Sequence, residues 1–186
     1  MTENKTVTVP LFIREYRALQ EVLRLKNPVI SYPACGTDIS LAKVFPESET
    51  YYIDTDANCI ELLRQAHLPA KSYLIRQSAY EYAPPDPVDL VVLRAASTDA
   101  ADVVGLVRGL KQGGYVIESH WGSSSGARKL LADPQFKLIG RMEYDDIKDT
   151  CVFDTQNVAA ITQQLIGDTD VISKYAGKGY VFQKIT

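Results

Sequence analysis

Short apolar runs alternating with amphipathic helical stretches predict a doubly wound α/β fold built on a mostly parallel sheet. Three observations carry this expectation. Five successive segments of strand length are separated by stretches of helical period or by turns. A run of small residues, Pro33-Ala34-Cys35-Gly36-Thr37, follows the first strand, where such sheets let a backbone approach a ligand closely. The chain's 186 residues, 46% hydrophobic and 23% charged, have the size and balance of one ordinary soluble domain, which needs no metal or disulfide staple. Residues 1–186 are therefore read as a single domain, with 1–27 a helical extension and 145–178 an insertion before the last strand.

In the extension, Phe12, Tyr16, Leu19 and Leu23 recur at helical spacing and share one face. Pro10 suits a first helical position, and Asn27-Pro28 stops the run. Arg14, Arg17 and Arg24 fall near one side, but Glu15 and Glu21 dilute them into a solvated surface. Residues 29–33 form the first strand and 39–45 a helix closed by Pro46; 51–54 form the second strand and 58–67 a helix carrying Ile60, Leu62 and Leu63. Residues 72–76 are a third strand, and 88–93 (V-D-L-V-V-L) a fourth that is apolar enough to be buried on both faces. A helix over 100–110, a turn at Lys111-Gln112-Gly113-Gly114 and a fifth strand at 115–118 follow, then a helix at 126–132 and strands at 136–144 and 180–185. The segment between these two strands is longer than a hairpin needs and carries Cys151-Val152-Phe153 and a helix over 158–166. A parallel strand ends at the ligand face, so this insertion is expected to begin there and to form a lid or substrate wall.

Composition narrows the function. Twenty Lys and Arg against 23 Asp and Glu give a net charge of −3, unsuited to a chain whose main task is gripping phosphates. No run of about 18 apolar residues is present to span a membrane, and the first residues lack the apolar stretch of a signal peptide. Cys35, Cys59 and Cys151 are widely spaced and form no C-x-x-C pair, as expected of reduced thiols in a cytoplasmic protein. The G-x-G-x-x-G and P-loop patterns are absent, which weakens nicotinamide and flavin readings and argues against a P-loop one, and Ser123-Ser124-Ser125-Gly126 reads as a flexible lead into a helix with a serine capping it. His67 and His120 have no cysteines at ligand spacing, so no metal is expected; Glu143, Asp145, Asp146 and Asp149 read as a solvated acidic turn.

One acidic residue stands out. Asp54 ends the second strand 18 positions beyond Gly36, close to the spacing at which doubly wound folds place a ribose-binding carboxylate. Asp54 and Asp56 can also be read as caps that begin the next helix; Asp56, before Ala57-Asn58, suits that role well, and Asp54, at a strand end, suits it less. Pro33-Ala34-Cys35-Gly36-Thr37 resembles the first motif of the class I S-adenosylmethionine-dependent methyltransferases in its D-P-A-C-G-T-G form. Leu110-Lys111-Gln112-Gly113-Gly114 is similar to that family's L-K-P-G-G stretch, and 88–93 resembles its fourth strand. The resemblance covers residues 28–140 and the last strand. It implies a seven-stranded sheet with an antiparallel last strand. It implies S-adenosylmethionine as cofactor, held by Pro33, Ala34, Cys35, Gly36, Asp38, Asp54, Thr55, Ser78 and Ala79.

The chain departs from the family twice: Tyr32 replaces the usual acid at the end of the first strand, and Asp38 replaces the last glycine. Asp38 opens a helix, where a carboxylate is favoured, and either meets the cofactor's ammonium group or repels its carboxylate. The motif is thus a modified site that still binds or the relic of a lost one. Leu93-Arg94-Ala95-Ala96 stands where nucleobase amino methyltransferases carry N-P-P-[YF], so no activity on nucleic acid is implied. After the fifth strand, His120 is a candidate base and Trp121 a candidate stacking platform, each with a purely structural alternative. Arg94 either binds an acidic substrate or pairs with a nearby carboxylate. Two function classes follow: a methyltransferase acting on a small molecule or another, unidentified acceptor, and a non-catalytic binding module of the same fold.

Overall fold

The computed structural model describes residues 6–94, 103–119, 125–145, 148, 150–167 and 179–186. The most apolar strand, β4 (Val88–Leu93), is interior to the sheet, with Val88, Leu90, Val91 and Val92 wholly buried. Parallel to it on one side lies β1 (Ile30–Pro33), followed outwards by β2 (Thr50–Asp54) and β3 (Ser72–Arg76). On the other side lies parallel β5 (Leu110–Glu118). Then comes β8 (Gly179–Lys184), antiparallel between β5 and β6 (Phe136–Asp145), with β7 (Thr150–Asp154) at the far edge. The order is β3-β2-β1-β4-β5-β8-β6-β7. Chain order reverses between β1 and β4, so the crevice for a ligand lies above the carboxyl ends of these two strands.

Helices cover both faces. Phe12, Tyr16 and Leu19 of α1 (Pro10–Val22), Leu41 and Val44 of α2 (Ser40–Val44), and Ile60 and Leu63 of α3 (Ala57–Gln65) join one core with Tyr32, Tyr52, Val92 and Ile117. On the other face α4 (Val103–Leu106), α5 (Ser125–Ala132) and α6 (Val158–Gly167) pack with Val91, Val116, Leu138 and Phe182. Pro10 starts α1, where its missing N–H is no loss, and the helix lies against β7 and α2. Asp56 caps α3, its side chain accepting from Asn58 N at 2.8 Å.

The doubly wound sheet with an antiparallel last strand is as expected, and it carries one strand more. Cys151-Val152-Phe153 pairs with β6 as β7, and α6 buries Ile161 and Leu165 in the second core. This corrects the expectation of a lid or wall for the insertion: its described parts, 150–167, extend the sheet and its core. β7 approaches so closely that a Cβ on Gly140 would collide with the Asp154 backbone and the Phe153 ring. Lys111-Gln112-Gly113-Gly114 is also not a turn before β5 but the irregular start of it, with Gly113 at φ +80° and a register shift against β4 between Val88 and Leu90.

Candidate functional site

The chain leaves β1 through two residues in the left-handed region, Ala34 (φ +51°) and Gly36 (φ +56°). Glycine takes that conformation freely, whereas alanine adopts it only under compensation from its surroundings. Part of that compensation is the bond from Cys35 N to Ile53 O, 3.2 Å, which ties the turn to β2. A second tie is made by the candidate carboxylate itself. Asp54 Oδ2 accepts from Gly36 N at 2.8 Å, and Oδ1 accepts from Asp56 N at 2.9 Å. The turn after β1 and the acid after β2 therefore touch.

A carboxylate has about four acceptor positions, and these two bonds use one on each oxygen of Asp54. The side chain is half-buried, so it is partly open to solvent. Among the described residues nothing lies within 4 Å of the position a Cβ on Gly36 would occupy. Acceptors for sugar hydroxyls beside an open backbone approach fit the nucleoside part of an adenosyl cofactor. Thr55, next along, is exposed. Gln77 N bonds to Asp54 O at 3.2 Å, bringing the exit of β3 alongside. There Ser78 O accepts from Glu81 N and Tyr82 N, and Ala79 packs with Ala34 against the same core. Pro33 is buried and lies in register with Ile53. The structure thus gathers Pro33, Ala34, Cys35, Gly36, Asp54, Thr55, Ser78 and Ala79 around the ends of β1, β2 and β3.

Asp38 stands apart from them. It is 5% exposed, and protein donors take both its oxygens. Tyr32 Oη donates to Oδ2 at 2.9 Å, while Ser40 N and Ser40 Oγ meet Oδ1. Ser40 Oγ in turn accepts from Val9 N at 2.9 Å, and Val7 N bonds to Thr37 O at 2.9 Å. The two departures from the family pattern therefore satisfy each other: the tyrosine in place of an acid supplies a donor to the acid in place of a glycine. The pair anchors the turn from within.

Arg94, at the end of β4, resolves in favour of pairing. It is 4% exposed, forms an ion pair with Glu15, and donates from Nε to Tyr16 Oη at 2.9 Å and from Nη1 to Ser119 Oγ. Its guanidinium also stacks over Phe12, 3.9 Å from the ring centroid. Burial works against its charge, but Glu15, the largest opposing influence, holds it protonated. Burial raises the Glu15 carboxyl, and Arg94 pulls it back. Of the two roles open to this side chain, it takes the pairing one, joining α1 to the ends of β4 and β5.

His120 and Trp121 lie outside the described residues. A further group does end beside the crevice. Glu118, last in β5, is 2% exposed, and among the described residues no donor meets its Oε1. Burial pushes its carboxyl up to about 8. It rests against Gly126 in the first turn of α5, so closely that a Cβ there would collide with Oε1. The signal for it was alternation: Glu118 shares a face with buried Val116. A separate cavity of about 450 Å³ lies between α2 and the loop before β3, lined in part by Ala42, Lys43, His67 and Leu68, at the amino ends of β2 and β3 and so away from the crevice.

No family model matches the sequence, and no curated protein matches it. Solved structures do. The plantazolicin methyltransferase BpumL, in complex with a monoazolic desmethylPZN analog and SAH, superposes at a TM-score of 0.63 with 12% identity over 95% of this chain and 83% of its own. The S-adenosylmethionine-dependent O-methyltransferase of Thermotoga maritima gives 0.61 and 12% over 100% of this chain and 69% of its own. A Clostridium thermocellum chain assigned as an rRNA methylase gives 0.57 and 13% over 100% and 99%. The fold is that of the class I S-adenosylmethionine-dependent methyltransferases. Identities this low show the architecture alone.

Proposed function

We propose that this chain is an S-adenosylmethionine-dependent methyltransferase acting on a small molecule. The observation that carries the reading is the bond between Asp54 and Gly36 N at 2.8 Å, which brings the acid and the open turn together at the switch point. Solved relatives of the fold, one of them bound to SAH, support the choice of cofactor. When bound, S-adenosylmethionine supplies an electrophilic methyl group. Asp54 accepts from the ribose hydroxyls, while Gly36 and Ala34 let the ligand lie against the backbone. Ser78 and Ala79 border the adenine. His120 takes the acceptor's proton and Trp121 stacks on it, both from the segment after β5.

A net charge of −3 disfavours a nucleic-acid acceptor. No helix among the described residues is long and apolar enough to cross a membrane. The second reading, a binding module without catalysis, is favoured by one observation: the side chain ending β4, Arg94, is locked into the α1 interface instead of facing a substrate. Calorimetry with S-adenosylmethionine and S-adenosylhomocysteine tests the shared premise. Micromolar binding is expected, weakened at least about tenfold in Asp54→Ala. Absence of binding to both ligands refutes the cofactor assignment. Transfer of a labelled methyl group to a candidate acceptor then separates enzyme from binder.

A further inference from the structure

Two helices end at the cavity between α2 and the loop before β3. Lys43 lies in the last turn of α2, and His67 follows Ala66, the C-cap of α3. Lys71, just before β3, brings a second ammonium, and Glu47 is the only carboxylate in the lining. Among the described residues none of these four side chains makes a hydrogen bond or an ion pair. Cations at a helix C-terminus commonly serve the helix by bonding its last carbonyls. Lys43 and His67 bond none of them, so their donors are left for another partner. Two ammonium groups and an imidazole N–H against one carboxylate favour an anion, although the chain as a whole carries −3. Ile39 and Leu68, with alanines and prolines, make the rest of the wall apolar. A volume of about 450 Å³ and an apolar wall with a few polar groups are what a small-molecule site presents. The methyl acceptor does not sit here. The five residues of β2 put about 15 Å between the cavity and Asp54, whereas transfer needs the reacting atoms about 3–3.5 Å apart.

We propose that this cavity is a second ligand site, one that takes a small organic anion. A compact apolar body lies against Ile39 and Leu68, and its carboxylate or phosphate is held by Lys43, His67 and Lys71. The site stands whatever the crevice binds.

Imidazole NMR signals of the full chain test it. The sequence has two histidines, and His67→Gln tells their signals apart. The probes are benzoate and phenyl phosphate, with benzyl alcohol as the body without the charge and inorganic phosphate as the charge without the body. At least one aryl anion is expected to shift the His67 signal with a dissociation constant of about 1 mM or lower, the tighter of the two naming the head group. Benzyl alcohol and inorganic phosphate are expected to bind at least about tenfold more weakly. Lys43→Gln combined with Lys71→Gln should weaken the aryl anion at least about tenfold, and since both lysines are exposed the melting temperature should hold. A His67 signal that neither aryl anion moves overturns the proposal, as does a shift confined to the other histidine. Equal affinity for benzyl alcohol or inorganic phosphate overturns it too, and so does full affinity in the double variant. Each of these results leaves the S-adenosylmethionine reading to its own calorimetry.

Discussion

A guanidinium taken out of water keeps its charge only in the company of a carboxylate, and Arg94 has Glu15 from α1, with Tyr16 and Ser119 filling its other donor directions. Removing one partner strands the other. Arg94→Met leaves Glu15 buried and unpaired, at a cost of about 3–5 kcal/mol in urea unfolding. Adding Glu15→Gln is expected to recover part of that loss, because the stranded charge goes with it. A single variant within about 0.5 kcal/mol of wild type would contradict the pairing. Among the described residues Glu118 has no such companion, and its sign runs the other way. Its carboxyl titrates near an ordinary 4.5 in the unfolded chain and at about 8 in the fold. The unfolded state thus releases its proton first. Stability present below pH 4.5 is lost as pH rises toward 8. Glu118→Gln abolishes that loss, so the variant should melt roughly 5 °C or more above wild type at pH 8 and close to it at pH 4.5. Parallel melting curves at both values would mean that the carboxylate has a donor.

At the scale of elements, β7 and α6 are parts of the framework. Leu165 is 1% exposed and packs from α6 into the core beneath β6, so Leu165→Ala should cost about 2–4 kcal/mol in chemical denaturation. Removing 150–167 strips a strand and a core helix, and its expected outcome is loss of cooperative unfolding. A deletion variant that still melts cooperatively would restore the view of this segment as an accessory. β4 above all was legible, because the continuous apolar run Leu90-Val91-Val92-Leu93 has no other use in so short a span. β7 was not, because a five-residue edge strand with exposed Val152 has no pattern of its own. Glycine misled at 113–114, where a turn signal turned out to be an irregularity inside β5, fastened by the pairing of Lys111 with Asp89. In the site, the Gly36 to Asp54 spacing was readable along the chain, since strand and helix lengths fix where β2 ends. The pairing of Tyr32 with Asp38 was not, because a tyrosine's reach across a turn depends on backbone angles that residue types leave open. Arg94 likewise revealed its position but not its partner, 79 residues earlier in α1.

Across the whole molecule, the last strand of the chain is not at an edge. β8 enters between β5 and β6 with Val181 and Phe182 wholly buried, and β6 and β7 reach the rest of the sheet only through it. The sheet cannot close until those final residues arrive, so its folding depends on contacts between distant parts of the chain. Both cores run through β8, Val181 on one face and Phe182 on the other, which binds the ligand half and the far half into one unit. A ligand held at the ends of β1 and β2 should therefore stabilise everything at once. At a concentration about 100 times its dissociation constant, S-adenosylhomocysteine contributes about 2.7 kcal/mol, and the whole transition should move up by about 5–10 °C while staying single. A chain ending at residue 178 should show no cooperative transition and no shift. Two transitions in the intact chain, with only one of them moved by ligand, would mean that β6, β7 and α6 melt apart from the ligand half and that β8 is a hinge between two units.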